Sequence, residues 1–331
     1  MTLDELKQDI KTNKFKNLYL FYGPEEYLKN QYLELIEKKV VDGDFKSLNK
    51  IVYDGKIDQD QVIDACDTFP MFSERKLVIF KNTELFSKKP KIKFEKLLEY
   101  LGNIPDYTHI VFCEKEIDKR LKSLSPIKKY GMLVEFPYQK PYDLVKWIAN
   151  ILGKRSKQID NYTASKLIEY CDYSMSGIVN EVEKLLLYVG ENSRICTDDI
   201  EKVCTKSIKT RVFDLIDAIA VQNIDRAYKV LNDLIASKEP IQRIFYMLAK
   251  QFMQILEIKL AMEDGLNKNE AASEMGITSY AAEKLCKQAK EFKNLNLKEV
   301  INDILEFDVN IKTGKINDRI AIELIIAKIS C

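Results

Sequence analysis

Short apolar runs rich in β-branched and aromatic residues fall at 18–22, 48–53, 76–80, 109–113 and 132–136, and nothing like them follows. Helical periodicity fills the gaps, near 25–40, 58–67, 92–101 and 119–130. Strand and helix alternating in this way predict a parallel sheet covered by helices, because each parallel neighbour needs a crossover long enough to hold a helix. Pro137 and Pro141 then punctuate the chain, and beyond them only helical patterns remain. The expected fold class is therefore α/β followed by all-α.

The stretch 140–208 reads as a short helical bundle, with helices at 142–156, 163–171, 176–188 and 197–204. Thr197-Asp198-Asp199 offers an N-cap for the last of these. The remaining 209–331 carries long amphipathic stretches such as 241–262 and 296–311. Three domains are expected, at 1–139, 140–208 and 209–331, within the usual size range of independent cores.

Composition removes several classes of protein. With 46% hydrophobic and 31% charged side chains, the chain is a folded one rather than a disordered segment. No apolar stretch reaches the roughly 18 residues of a membrane span. Met1-Thr2-Leu3-Asp4-Glu5 lacks the basic-then-apolar order of a signal peptide, so no membrane partner is expected. Seven cysteines (Cys66, Cys113, Cys171, Cys196, Cys204, Cys286 and Cys331) form no Cys-x-x-Cys pair. Scattered thiols of this kind imply the reducing cytoplasm, not a disulfide framework or a zinc site. With 52 basic against 51 acidic residues, overall charge does not mark a nucleic-acid binder.

The turn after the first strand, Gly23-Pro24-Glu25-Glu26-Tyr27-Leu28, stands where P-loop NTPases cradle phosphate. A working loop there needs several free amides, a Lys for the phosphates and a Ser or Thr for Mg²⁺. This turn has one glycine, a proline without an N–H, and the carboxylates of Glu25 and Glu26 where phosphates would lie. Gly23, Pro24, Glu25 and Glu26 thus read as a degenerate, non-functional P-loop. No catalysis and no cofactor are expected, and an active ATPase is disfavoured.

A nucleotide-fold domain, a small helical lid and a second helical domain together suggest the AAA+ plan. Specific residues sharpen it: Leu18-Tyr19-Leu20-Phe21-Tyr22-Gly23; Phe69-Pro70-Met71-Phe72-Ser73-Glu74-Arg75-Lys76-Leu77-Val78; and Val212-Phe213-Asp214-Leu215-Ile216-Asp217-Ala218-Ile219. Met275-Gly276-Ile277 with Ala282-Glu283-Lys284-Leu285, and Phe307-Asp308-Val309-Asn310-Ile311-Lys312-Thr313-Gly314, complete the set. In this order, over essentially its whole length, the chain resembles the delta subunit of the bacterial DNA polymerase III clamp loader. The resemblance implies an AAA+-like parallel-sheet domain, a helical lid domain and a C-terminal helical collar that joins a subunit ring. It also implies a non-hydrolysing subunit of the DNA-directed DNA polymerase (nucleotidyltransferase) holoenzyme. Such a subunit grips and helps open the sliding clamp (beta subunit), while the ATPase subunits (tau/gamma) and delta prime complete the loader on primed DNA. The location implied is cytoplasmic and nucleoid-associated, at replication forks.

Within that family the connection after the helix at 58–67 carries a hydrophobic pair that enters a pocket on the clamp, and Met71-Phe72 occupies it here. Independently, several apolar residues in one short connection are unusual, because connections run over the surface and are usually polar. The bland alternative is that residues 69–72 fold inward over the sheet edge. Phe69 is assigned to the core, and Met71 and Phe72 to the partner.

Other features are weighed against ordinary structural roles. Ala271-Ala272-Ser273-Glu274-Met275-Gly276-Ile277, followed by Thr278 to Leu285, has helix-turn-helix spacing, so a helix-turn-helix DNA-binding regulator is the alternative function. Its second helix opens with Ser279, Tyr280 and Glu283, a poor set for reading bases, and a packed hairpin is favoured. His109, the only histidine, sits in an apolar strand and reads as a core residue. Asp42 with Asp44, Asp58 with Asp60, and Asp198 with Asp199 are better explained as turn and cap carboxylates than as metal ligands.

Basic clusters at Lys88-Lys89-Pro90-Lys91-Ile92-Lys93 and at Lys284, Lys287, Lys290 and Lys293 read as solvated faces. Lys312, Lys315 and Arg319 are candidates for DNA backbone contacts. Any DNA affinity of the chain should therefore be sequence-indifferent and fall steeply with salt in a titration; a salt-insensitive, sequence-specific affinity would count against the family reading.

Overall fold

The computed structural model describes residues 3–330 apart from 42, 44, 56, 58, 88–94, 122, 123 and 293–295. It divides into two compact units, Met1–Gln139 and Lys140–Cys331.

The first unit runs α1 (Leu3–Thr12), β1 (Leu18–Tyr22), α2 (Glu26–Val40), α3 (Lys46–Asn49), β2 (Lys50–Asp54), α4 (Gln59–Asp67), β3 (Lys76–Lys81), α5 (Glu95–Tyr100), β4 (Thr108–Glu114), α6 (Ser125–Tyr130) and β5 (Met132–Glu135). All the strands pair in parallel, in the order β2-β3-β4-β1-β5. This is the parallel sheet expected from the alternation of strand and helix. Register places Leu20 beside Phe112 and Leu133, and Val78 beside Ile51 and Ile110. Every residue of β1 is buried, which explains its unbroken apolar run: a central parallel strand is covered on both faces. Tyr53, Phe80, Phe112 and Phe86 form a chain of ring contacts on one side, and Tyr19, Phe21 and Phe136 another.

Local departures from the sequence expectation have local causes. Strand β2 begins at Lys50, not 48, because the preceding residues close the short helix α3. The helix expected over 119–130 is described only as α6, with Pro126 in its first turn. Proline fits there because it lacks an N–H and biases the residue before it away from helix. The helix expected over 92–101 is described as α5; Lys88, Lys89, Lys91 and Lys93 lie outside the described residues.

The second unit opens with α7 (Pro141–Gly153), β6 (Gln158–Ile159), α8 (Asn161–Tyr170), α9 (Met175–Val189), β7 (Arg194–Ile195) and α10 (Thr197–Val203). Contrary to a purely helical expectation, β6 and β7 pair as a small parallel ladder. The N-cap of α10 also lies one residue early. The Cys196 N–H donates to the Asp199 carboxylate at 2.8 Å, while the Thr197 hydroxyl meets that of Thr163 at 3.1 Å. The unit continues through α11 (Ile208–Ala220), α12 (Ile224–Ala236), α13 (Ile241–Glu263), α14 (Lys268–Glu274), α15 (Ser279–Glu291), α16 (Leu297–Lys312) and α17 (Asp318–Ser330). These last helices share one apolar core that includes Phe213, Leu231, Leu248, Phe252, Leu285, Ile304 and Ile326. No helix among the described residues is long and apolar enough to cross a membrane.

His109 is buried in β4, its Nδ1 lying 2.9 Å from the Lys16 carbonyl oxygen. Burial, reinforced by the nearby Arg75 charge, holds its pKa below the ordinary value and outweighs the Lys16 hydrogen bond. With a folded-state pKa below the unfolded one, the unfolded chain takes the proton first, so stability is lost as pH falls through the unfolded value of about 6.5. Between about pH 7.5 and 5.5, His109→Asn should therefore lose less stability than wild type in urea melts.

Candidate functional site

The connection from α4 to β3 puts apolar side chains outside. Phe69 and Phe72 are each 78% exposed and Met71 is 54% exposed. Folding inward over the sheet is therefore not what the loop does. For Phe69 this corrects the core assignment. The space beneath the end of α4 is taken by the buried Lys76 side chain, and the Phe69 ring lies instead on Tyr107, with centroids 5.0 Å apart.

The loop starts from a fixed point. The last carbonyls of a helix have no partners within it. In α4 they are met by side chains from the starts of β3 and β4. The Lys76 ammonium donates to the carbonyls of Ala65 and Thr68 and, at 2.9 Å, to the Thr68 hydroxyl. The Thr108 hydroxyl donates to Cys66 O at 2.8 Å, and the Tyr107 hydroxyl to Asp67 O at 2.9 Å. Burial pushes the Lys76 pKa below that of a free lysine. The Tyr100 hydroxyl donates to the Asp67 carboxylate at 2.6 Å; burial and that hydrogen bond raise its pKa.

The loop's apolar tip is fixed too. Met71 N–H donates to Asn49 Oδ1 at 2.7 Å, and Asn49 Nδ2 donates to Met71 O at 2.8 Å and Phe45 O at 3.0 Å. Beyond it, Phe72 adopts φ +53°, a left-handed conformation that costs a bulky residue on the order of 1–3 kcal/mol and persists only when neighbours impose it. Its ring meets that of Phe45 at 5.0 Å. The Ser73 hydroxyl donates to Arg75 O at 3.1 Å, closing the turn into β3.

Sequence reasoning singled out Met71 and Phe72, which the structure places outside, and gave no role to Asn49, Phe45 or Lys76, which hold the loop. Lys76 opens an apolar run and reads as its solvated end, and nothing local links Asn49 to a residue so distant in the chain.

At the other candidate, the amides after β1 are already engaged. Gly23 N–H donates to Lys115 O, Glu25 N–H to Phe136 O, Glu26 N–H to Pro24 O and Tyr27 N–H to the Glu25 carboxylate. Gly23 sits at φ +119°, and a Cβ there would lie 2.3 Å from Phe136 O, so the turn is pressed onto the end of β5. Glu25 is buried, which raises its pKa. Glu26 accepts from Lys29 Nζ at 2.7 Å, and that buried ammonium also donates to Glu114 O at 3.0 Å. Glu114 in turn accepts from Thr83 and Glu84 amides, its pKa raised by burial.

The remaining candidates separate. α14 and α15 form the expected hairpin around Gly276, with Ala271, Ala272, Ala282 and Leu285 in the core and the Tyr280 ring against Tyr173 at 3.7 Å. Lys284 lies over the rings of Phe213 and Tyr280, Lys287 and Lys290 are exposed, and Lys293 is outside the described residues. Lys312 pairs with Asp308 at 2.6 Å and Arg319 with Glu323 at 2.8 Å; Lys315 is exposed on the turn after α16. Asp42, Asp44 and Asp58 lie outside the described residues, Asp60 meets Lys96 at 3.3 Å, and Asp199 caps α10. Among the described residues no three His, Cys, Asp or Glu side chains gather as metal ligands.

Comparison with known proteins gives consistent matches. Residues 19–137 match the family model for the DNA polymerase III delta subunit, and 209–329 that for its C-terminal domain. DNA polymerase III subunit delta of Bacillus subtilis is 27% identical over 97% of this chain and 95% of its own length. A probable DNA polymerase III subunit delta of Aquifex aeolicus is 23% identical over 88% and 83%. The solved structure of the Bacillus subtilis DNA clamp loader delta protein superposes with a TM-score of 0.77 at 26% identity, covering 99% of both chains.

Replacing Lys76 with Met keeps the apolar stem but leaves the Ala65 and Thr68 carbonyls without their donor. Lys76→Met should lower stability by about 1–3 kcal/mol, seen as an earlier urea midpoint with an unchanged m-value.

Proposed function

This chain belongs to the DNA polymerase III delta subunit family, and from that membership we propose that it binds and helps open the sliding clamp, without hydrolysing ATP, during DNA replication. The observation that carries the reading is the Met71-Phe72 tip: two large apolar side chains held outside on a tied loop. Unbranched Met and flat Phe suit an apolar pocket, and an anchor fixed before binding loses little freedom on docking. Opening follows if the open clamp binds better than the closed one, since a ligand shifts an equilibrium only through such a difference.

The degenerate turn supports the non-hydrolysing role. A nucleotide there would have to displace the carbonyl partners of Gly23 and Glu25 and approach two carboxylates. Energy for loading then comes from the ATPase subunits (tau/gamma), which with delta prime and primed DNA are the partners in this proposal. The division at 139/140 and a further one at 208/209 would separate the sheet domain, a lid and a collar. The apolar groove between α13 and α16, lined by Tyr246, Met253 and Leu305, supports a packing role for the collar. Lys315, with Lys312 and Arg319 released from their carboxylates, remains the candidate for DNA backbone contact.

Met71→Ala/Phe72→Ala should weaken clamp binding by roughly 30- to 1000-fold, the equivalent of about 2–4 kcal/mol, in surface plasmon resonance. Circular dichroism should show an unchanged fold. Equal binding by the folded double variant and wild type would remove the anchor from this pair.

A further inference from the structure

We propose that Asn49 is the positioning residue of the anchor, holding the Met71 peptide so that Met71 and Phe72 are set for the partner before it arrives; this rests on the clamp-binding reading above.

Asn49 belongs to α3, on the far side of β2 and α4 in the chain, and is 2% exposed. Its carboxamide engages both polar groups of one residue: Oδ1 accepts the Met71 N–H at 2.7 Å and Nδ2 donates to the Met71 carbonyl at 2.8 Å. The second hydrogen on Nδ2 goes to Phe45 O at 3.0 Å. One carboxamide therefore ties the turn bearing Phe45 to the peptide bearing Met71, and the Phe45 and Phe72 rings meet just outside it. An isolated loop has no such partner, and a buried amide leaves neither donor nor acceptor unmet only in this orientation.

The chemistry is specific to Asn. Aspartate would keep the acceptor but set a carboxylate against the carbonyl oxygens of Met71 and Phe45; alanine and serine cannot span the gap. Phe72 sits next to the tied peptide at φ +53°, a conformation its own preference does not maintain. Without the tie the tip spreads over other conformers, and apparent affinity falls in proportion to the population left in the binding one. Asn49 itself need not touch the clamp.

The test is a double-mutant cycle on the full chain, with clamp binding read by surface plasmon resonance for wild type, Asn49→Ala, Met71→Ala/Phe72→Ala and the triple variant. Asn49→Ala should weaken binding roughly tenfold, but change it less than about twofold when the anchor is already gone. Hydrogen exchange on the free protein should show faster exchange at the Met71 amide, with α4 and β3 protection retained. If Asn49→Ala does not fold, Asn49→Ser takes its place in the same cycle. Loss of binding by the anchor variant alone, with Asn49→Ala binding as wild type, overturns this inference and leaves the anchor standing. Equal losses in both backgrounds, or unchanged Met71 exchange, also overturn it. An anchor variant that binds as wild type removes both readings together.

Discussion

A buried ammonium closes the end of α4, and the exposed loop beyond it depends on that closure. Taking a lysine out of water is costly unless its charge is met by strong acceptors. Here the Ala65 and Thr68 carbonyls and the Thr68 hydroxyl supply them. The arrangement solves two problems at once, since a helix end pressed against a sheet would otherwise bury carbonyls without donors. Thr108 and Tyr107 cap the carbonyls that Lys76 does not reach. The chain therefore leaves the helix along a defined path, and the side chains that follow have no room beneath it. Phe69 lies outside, on Tyr107, with Lys76 beneath the end of α4, while Met71 and Phe72 are held outside by Asn49 and Phe45.

The same sheet carries a second consequence at the opposite role. In an open parallel sheet, ligands bind beyond the carboxyl ends of the strands. The turn after β1 occupies that place, yet its amides are matched to protein acceptors and Gly23 lies against the Phe136 backbone. A helix N-terminus favours an anion. At α2 that anion is the protein's own Glu25 carboxylate, bonded to Tyr27 N–H at 3.3 Å. The amides after β1 are thus engaged within the protein itself, in keeping with the proposal that this domain acts through the α4–β3 loop.

Much of this was legible in the residues, and what was missed shares one physical cause. Continuous apolar runs and helical periodicity are short-range signals, and they placed the strands and most helices. The expectation of a degenerate turn rested on Pro24, Glu25 and Glu26, a local signal, and the structure adds that the amides there are bonded to protein acceptors. Phe69 was misplaced because its exposure follows from Lys76, which looks like the wet end of a strand. Asn49 was invisible because its partner, Met71, is 22 residues away. The N-cap of α10 moved because the Asp199 carboxylate reaches back to Cys196, leaving Thr197 to pair with Thr163. Capping and side-chain-to-backbone ties depend on which elements meet, and periodicity carries no record of that.

The anchor proposed here, if it is to help open a ring, has to be stiff as well as sticky. Affinity alone favours neither state of a partner; only a difference in binding between the two states does work. A compliant loop would follow its pocket through the partner's motion, binding both states alike and erasing that difference. The loop here is restrained at both ends, at α4 through its capped carbonyls and at the tip through Asn49. Phe72 is even held in a conformation that a free loop would abandon. Strain maintained at an exposed apolar tip, at a cost of about 1–3 kcal/mol, is hard to explain as a stability device. It is what a contact surface requires if it must present one shape and resist giving it up.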